Sequence, residues 1–143
     1  MNFIDGIFSN KSIIIPTITW MIAQFTKVIL VIIKEKKINY QRFIGSGGMP
    51  SAHSSFIVCL TTIIGKNDGW NSHLFGISFA FSLIVMYDAT GVRRAAGKQA
   101  EVLNKIMFSF NNIEGKLKEL LGHSPFEVIV GAILGIMMGM LFG

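Results

Sequence analysis

Two histidines and one carboxylate carry the chemical interest of this chain: His53, His123 and Glu127. His123 and Glu127 stand at i and i+4, so on a helix they share a face. There the carboxylate can hold the imidazole in one tautomer and raise its nucleophilicity. His53 and His123 can each carry a proton near neutral pH. Around these residues stand groups that suit a phosphate. Arg93 and Arg94 offer forked donors, and Lys27 offers a point charge. Gly47 and Gly48 precede a helix start, where glycine allows close backbone approach and unpaired N–H groups favour an anion. The phosphate site expected from this set holds Arg93, Arg94, Lys27, Gly48, Ser51 and Asp88, with Asp88 paired to an arginine rather than to a metal.

Each member also has a plainer reading. His53 fits an interfacial or helix-capping residue, the arginine pair a positive-inside anchor, and Lys27 a side chain snorkelling to an interface about 9 Å away. His73 is expected on the opposite membrane face, outside the site. A zinc site would need three or four converging ligands, and the chain has neither an HExxH run nor a cysteine pair. No P-loop, dinucleotide fingerprint or serine nucleophile elbow is present. No metal and no cofactor are expected.

The elements that must position these groups are membrane helices. Of 143 residues, 51% are hydrophobic and only 15% charged, against about 25% charged in a soluble domain. The mean hydropathy is +0.56. The net charge of +5 lies between apolar runs, which points to anionic lipid or a lipid phosphate rather than nucleic acid. Cys59 is alone, so no disulfide forms within the chain, and it is expected to be a small core residue. The length suits one domain, residues 1–143, embedded in the membrane.

A short interfacial turn is expected over residues 1–11 and a first span over 12–33, long enough to cross a hydrocarbon layer about 30 Å thick. In that span Trp20, Gln24 and Lys27 share a face. A basic loop follows, with Lys34, Lys36, Lys37 and Arg42. The second helix is predicted from Pro50, in its first turn, to about Ile64, with a loop over 65–71. At roughly 24 Å it is short for a span, so it should be tilted or enclosed by protein. A third span over 73–88 carries Gly76, Ala80, Ser78 and Ser82 at small-xxx-small spacing. An amphipathic interfacial arm is predicted over 95–110, with Leu103, Ile106, Met107 and Phe110 on its apolar side and Glu101 and Lys105 as a solvated pair. The last span, 125–142, has glycines at 131, 135, 139 and 143. The fold class is therefore an all-α membrane bundle of about four principal helices plus an interfacial helix. The Gly131, Gly135 and Gly139 face should meet a helix closely, either within the chain or across a homodimer, and the homodimer is the favoured expectation.

Counting crossings brings the segments around His53, Asp88 to Arg94, and His123 to a single membrane surface. Three polar clusters distant in sequence converge by topology alone. The basic residues on that side, Lys34, Lys36, Lys37, Arg42, Arg93, Arg94, Lys98 and Lys105, predict that this face is cytoplasmic and both termini outside.

The segments Gly47-Gly48-Met49-Pro50-Ser51-Ala52-His53-Ser54, Tyr87-Asp88-Ala89-Thr90-Gly91-Val92-Arg93-Arg94 with Gly97-Lys98-Gln99-Ala100, and Leu120-Leu121-Gly122-His123-Ser124-Pro125-Phe126-Glu127-Val128 closely resemble one family. It is the divergent branch of the type-2 phosphatidic acid phosphatases, related to acid phosphatases and vanadium-dependent haloperoxidases. With Ala23-Gln24 and Lys27 the resemblance covers nearly the whole chain. It implies a helical fold and metal-free hydrolysis of phosphomonoesters through a phosphohistidine. By this resemblance His123 matches the nucleophile, His53 the proton donor to the leaving group, and Glu127 the residue that orients the nucleophile. The chain departs from the wider family's pattern in several places. Ala52 replaces a glycine, Glu127 replaces an aspartate, Leu117 stands where an arginine is familiar, and no Lys-x6-Arg-Pro motif exists. The expected function is hydrolysis of a membrane lipid phosphate. The alternative is binding or transport of a phosphorylated lipid or anion in the same basic pocket, and a third reading is a structural membrane subunit.

Overall fold

The computed structural model describes residues 2–35, 48–109, 117, 119 and 121–143. Gly47, Phe110 and most of the basic loop, with Lys36, Lys37 and Arg42, lie outside the described residues. Six helices are described: α1 (Phe3–Ser9), α2 (Lys11–Glu35), α3 (Ala52–Asp68), α4 (His73–Thr90), α5 (Val92–Ser109) and α6 (Pro125–Phe142). No strand occurs among the described residues. The all-α expectation holds. Among the described residues three stretches are long and apolar enough to cross a membrane: Lys11–Ile33, the run His73–Ser109 that joins α4 to α5, and Pro125–Phe142.

The helix α3 does not meet that test, yet it is the centre of the bundle and packs against α2, α4 and α6. Its 17 residues span about 25 Å and bury hydroxyls as well as apolar groups. Those hydroxyls are satisfied locally: Ser55 Oγ donates to Ser51 O (2.8 Å), Thr61 Oγ1 to Ile57 O (2.9 Å) and Thr62 Oγ1 to Val58 O (2.7 Å). Others tie neighbours together. Thr61 shares a 2.7 Å hydrogen bond with Ser82 of α4, and Thr19 of α2 donates to Cys59 Sγ at 3.4 Å. Small, internally bonded side chains let the helices approach closely, as membrane interiors favour. The helix expected to be enclosed is enclosed.

Its bounds differ from the sequence expectation at both ends. Ser51 accepts from the Ser54 N–H and takes the N-cap, so Pro50 lies before the helix rather than in its first turn. At the other end α3 continues through Gly65 to Asp68. A side chain at Gly65 would collide with the ring of Trp70, which stacks edge-on against Phe75 at 5.2 Å. The glycine admits that aromatic pair rather than ending the helix.

The helix α6 runs parallel to α3, its glycines facing the neighbouring backbone. A Cβ at Gly135 would lie 2.6 Å from Ser55 O, and one at Gly139 2.7 Å from Thr62 Cβ, while Gly131 abuts Ser51 O. The glycine row therefore meets a helix closely within the chain. This is the within-chain alternative of the two expected for the Gly131, Gly135 and Gly139 face, which α3 covers. On α4 the row that packs is Ser78 and Ser82, whereas Gly76 and Ala80 face outward, with nothing within 4 Å of a Cβ at Gly76. At the end of the bundle away from the motifs, Lys66 Nζ donates to Met140 O (3.1 Å) and Gly143 O (3.0 Å), a cation on the negative end of α6.

Candidate functional site

The last turn of α4, the start of α5, the start of α3 and the lead-in to α6 meet at one end of the bundle. Backbone bonds fix the meeting. Ser51 N donates to Glu127 O at 3.0 Å, joining α3 to α6, and His123 N donates to Ala89 O at 2.9 Å, joining the lead-in to α4. The convergence expected from topology is thus present in the structure.

The pivotal element is the turn at Gly122. Its φ of +80° lies in the left-handed region, and a Cβ there would strike the backbone of Arg93 and Arg94, 2.6 Å from Arg94 Cα. Only glycine meets both demands. The next residue, His123, is 2% exposed. Its Nδ1 lies 3.2 Å from Glu127 Oε2, and the same oxygen accepts the Ser124 N–H at 3.0 Å. Ser124 Oγ in turn accepts the Glu127 N–H at 3.3 Å, completing a reciprocal capping box with Pro125 in the first turn. Glu127 therefore does two tasks with one carboxylate: it starts α6 and orients the imidazole. His123 Nε2 is buried and has no partner among the described residues. Burial, and next the Lys27 charge, lower the His123 pKa, with Glu127 acting in the opposite sense. The ring is accordingly neutral near pH 7, the form that can attack.

His123 lines a small recess together with His53, Val85, Asp88, Ala89 and Arg93. The space inside is about 10 Å³, room for one water-sized sphere. Arg93 Nε pairs with Asp88 Oδ2 at 2.5 Å, as expected for Asp88, and the bond engages Nε alone. Lys27 is 4% exposed and faces the protein, not an interface. It lies within Coulombic reach of Glu127, His53 and His123, and its stem runs beside Gly48. The interior reading of Lys27 holds and the snorkelling one does not.

Three expected members sit elsewhere. Arg94 is exposed and does not line the recess; its backbone supports Gly122 instead. Ser51 is fully buried and its hydroxyl accepts from Ser54 Oγ at 2.9 Å, a capping rather than a recess-lining position. Gly48, with φ +93°, lies in the approach to α3 beside Lys27 and not in the recess. His73 lies at the far end of α4, as expected. Among the described residues no three His, Cys, Asp or Glu side chains come together to hold a metal.

Sequence reasoning missed the brace behind His123. The α5 arm holds the segment at Leu117: Asn104 Nδ2 donates to Leu117 O and Asn104 Oδ1 accepts the Leu117 N–H, both at 2.8 Å. Beside it a Cβ at Gly97 would lie 2.6 Å from Glu119 O. The signal was an amide and a glycine on the polar side of an amphipathic helix, where solvation is the usual reading.

A family model described as the divergent PAP2 family matches residues 8–138. The chain belongs to that family. It is also similar to a protein described as an uncharacterized membrane protein, YuiD, of Bacillus subtilis (strain 168). The two are 40% identical, over 81% of this chain and 83% of the relative. No solved structure matches. The family and the apolar helices together make this a membrane protein of the divergent PAP2 kind.

Proposed function

We propose that this protein hydrolyses the phosphomonoester of a membrane lipid, with His123 as nucleophile and no metal. The observation that carries the reading is a buried imidazole held at Nδ1 by Glu127, with its Nε2 unpartnered beside His53 and Arg93. The first step forms an Nε2–P bond and breaks the bond from phosphorus to the ester oxygen, which takes a proton from His53 and leaves as the alcohol. Water then attacks phosphorus and gives a proton to His53, the Nε2–P bond breaks, and inorganic phosphate leaves. Arg93 and Lys27 offset charge on the phosphoryl oxygens.

The recess must open to admit a phosphate, and among its lining side chains Arg93 and Asp88 are held to each other by an ion pair. That pair is partly exposed, with side-chain exposures of 46% and 37%. Such pairs contribute about 0.2–1 kcal/mol, a small cost against phosphate pairing. A second reading, in which a phosphorylated lipid binds the basic pocket without turnover, needs only the cations Arg93 and Lys27. Acid quenching of the purified protein during incubation with a radiolabelled lipid phosphate separates the two. Hydrolysis predicts an acid-labile phosphoenzyme in the wild type and none in His123→Ala, and phosphate release that persists in His123→Ala ends the phosphohistidine reading.

The motif face is proposed to be cytoplasmic in the cell membrane, on the positive-inside bias of Arg93, Arg94, Lys98 and Lys105. Cysteines introduced at Lys98 and Asn71 should label from opposite sides, and labelling of Lys98→Cys from outside reverses the orientation.

A further inference from the structure

Beside the polar recess lies a much larger space of about 320 Å³, within the range of small-ligand pockets (roughly 300–1,000 Å³). It is a groove between α2, α3 and α4, walled by Thr17, Trp20, Phe56, Ile57, Phe81 and Val85. His53 and Val85 line both the groove and the recess, so the two spaces share a wall at the proposed proton donor. The groove then descends along the helices. From Lys27 at the motif end of α2 to Thr17 is about 15 Å by helical rise, which carries it well into the hydrocarbon layer.

The wall chemistry is selective. Below His53 no charged residue lines the groove. The Thr17 hydroxyl is already bonded to Ile13 O at 2.6 Å. An occupant that enters below the phosphate therefore meets aromatic and aliphatic surface at once. Phosphatidic acid carries two ester groups beside its phosphate, and here they would be desolvated with almost nothing to bond. A phosphate joined directly to a hydrocarbon chain has no such groups.

Resting on the reading of His53, Arg93 and His123 as the phosphate end, we infer that this groove is the chain subsite for a lipid whose phosphate is esterified directly to a long hydrocarbon, a polyprenyl or alkyl monophosphate, rather than to glycerol. The leaving oxygen then sits at His53, and the first carbons of the chain pass Val85 to lie against Phe56, Phe81 and Trp20. The binding of this chain also fixes the direction of the P–O bond relative to His123.

The test uses the full-length protein in mixed micelles with a farnesyl phosphate analogue bearing a diazirine in its first isoprene unit. Photolabelling should fall on peptides containing Trp20, Phe56 or Phe81. Unlabelled farnesyl phosphate should suppress it at a mole fraction at least tenfold lower than dioleoyl phosphatidic acid. Phe81→Ala, at an exposed position, should cut labelling several-fold while the protein keeps its size in detergent. Equal competition by phosphatidic acid, or labelling spread over the outer helix faces, overturns the inference. Selective labelling without phosphate release removes the hydrolase reading and leaves the chain subsite. Equal release of phosphate from both lipids does the reverse.

Discussion

Two helix starts in this protein use nearly the same residues to opposite ends. At α4, Ser72 accepts the Phe75 N–H at 3.1 Å and His73 follows the cap, exposed. At α6, Ser124 accepts the Glu127 N–H and His123 precedes the cap, buried. The decisive differences are two. The third residue after the cap is aromatic in one case and packs on Trp70, but is a carboxylate in the other and reaches back to the imidazole. The histidine also lies on opposite sides of the cap, and only a residue before it stands at i, i+4 to that carboxylate. A serine and a histidine at a helix start are thus not a site. The site comes from what the next turn returns to them and from the chain that Gly122 folds against α5.

The strongest way to break this comparison is to remove each histidine. His123→Ala should lower phosphate release by on the order of 10³-fold or more, as loss of a nucleophile does. His73→Ala should leave release within about twofold, because exposed positions away from special features change little. Comparable losses in the two variants would mean that the histidines share a role in folding or lipid contact. Removal of His53 belongs between them, at about 10²–10⁴-fold for a lost general acid. Its effect should shrink on a substrate with a good leaving group.

Glu127→Gln sharpens the comparison by separating the two tasks of that residue. Glutamine also completes a capping box, so thermal unfolding in detergent should hardly move. It has no charge to steady a cationic or phosphorylated imidazole, so the rate should fall while the protein stays folded. A matched loss of stability and rate would mean that the carboxylate is only a cap. Glu127→Asp keeps the charge but shortens the reach, and partial activity is expected.

The glycines give a third contrast, in stability. Gly122→Ala places a side chain at φ +80° against the Arg94 backbone and should cost about 1–3 kcal/mol. Gly76→Ala, in open space on α4, should be neutral or stabilise by up to about 1 kcal/mol. Unfolding in detergent measures both. Equal effects would place Gly122 outside any demanding turn.

What was legible in the sequence follows a physical line. Spans whose apolar residues face lipid, such as α2, α4 and α6, announce themselves by hydropathy. The meeting of His53, Asp88, Arg93 and His123 followed from counting crossings. The helix at the centre was harder to bound. Its hydroxyls are satisfied by its own carbonyls, and Gly65 reads as a stop although it admits Trp70. Neighbouring arginines could not be told apart by type. Arg93 lines the recess and Arg94 does not, because one helical step of about 100° separates them at the start of α5. Nor could the partner of the glycine row be read from α6 alone, since that face suits α3 and a second copy equally well.

The smallest effect, and the one most specific to the environment of His123, is the position of the acid limb of the rate. Burial, and then the charge on Lys27, hold the imidazole below its ordinary value of 6.5, while Glu127 pulls the other way. The nucleophile is neutral above its folded pKa, so the limb of the rate that reports His123 should fall on the acid side of 6.5. The linkage to stability has the same sign. Below 6.5 the unfolded chain binds a proton that the folded ring resists, so the stability contributed by this histidine is full above 6.5 and lost as pH falls through the lowered value. Two variants should move the limb in opposite directions. Lys27→Met removes a cation and should shift it to higher pH, though only in part, because burial is the larger cause. Glu127→Gln removes an anion and should shift it to lower pH. Rate profiles for both, each normalised to its own plateau, make the check independent of how much activity remains. Limbs that coincide with the wild type would show that another group, such as the substrate phosphate, sets the acid dependence and that His123 does not titrate in the reaction.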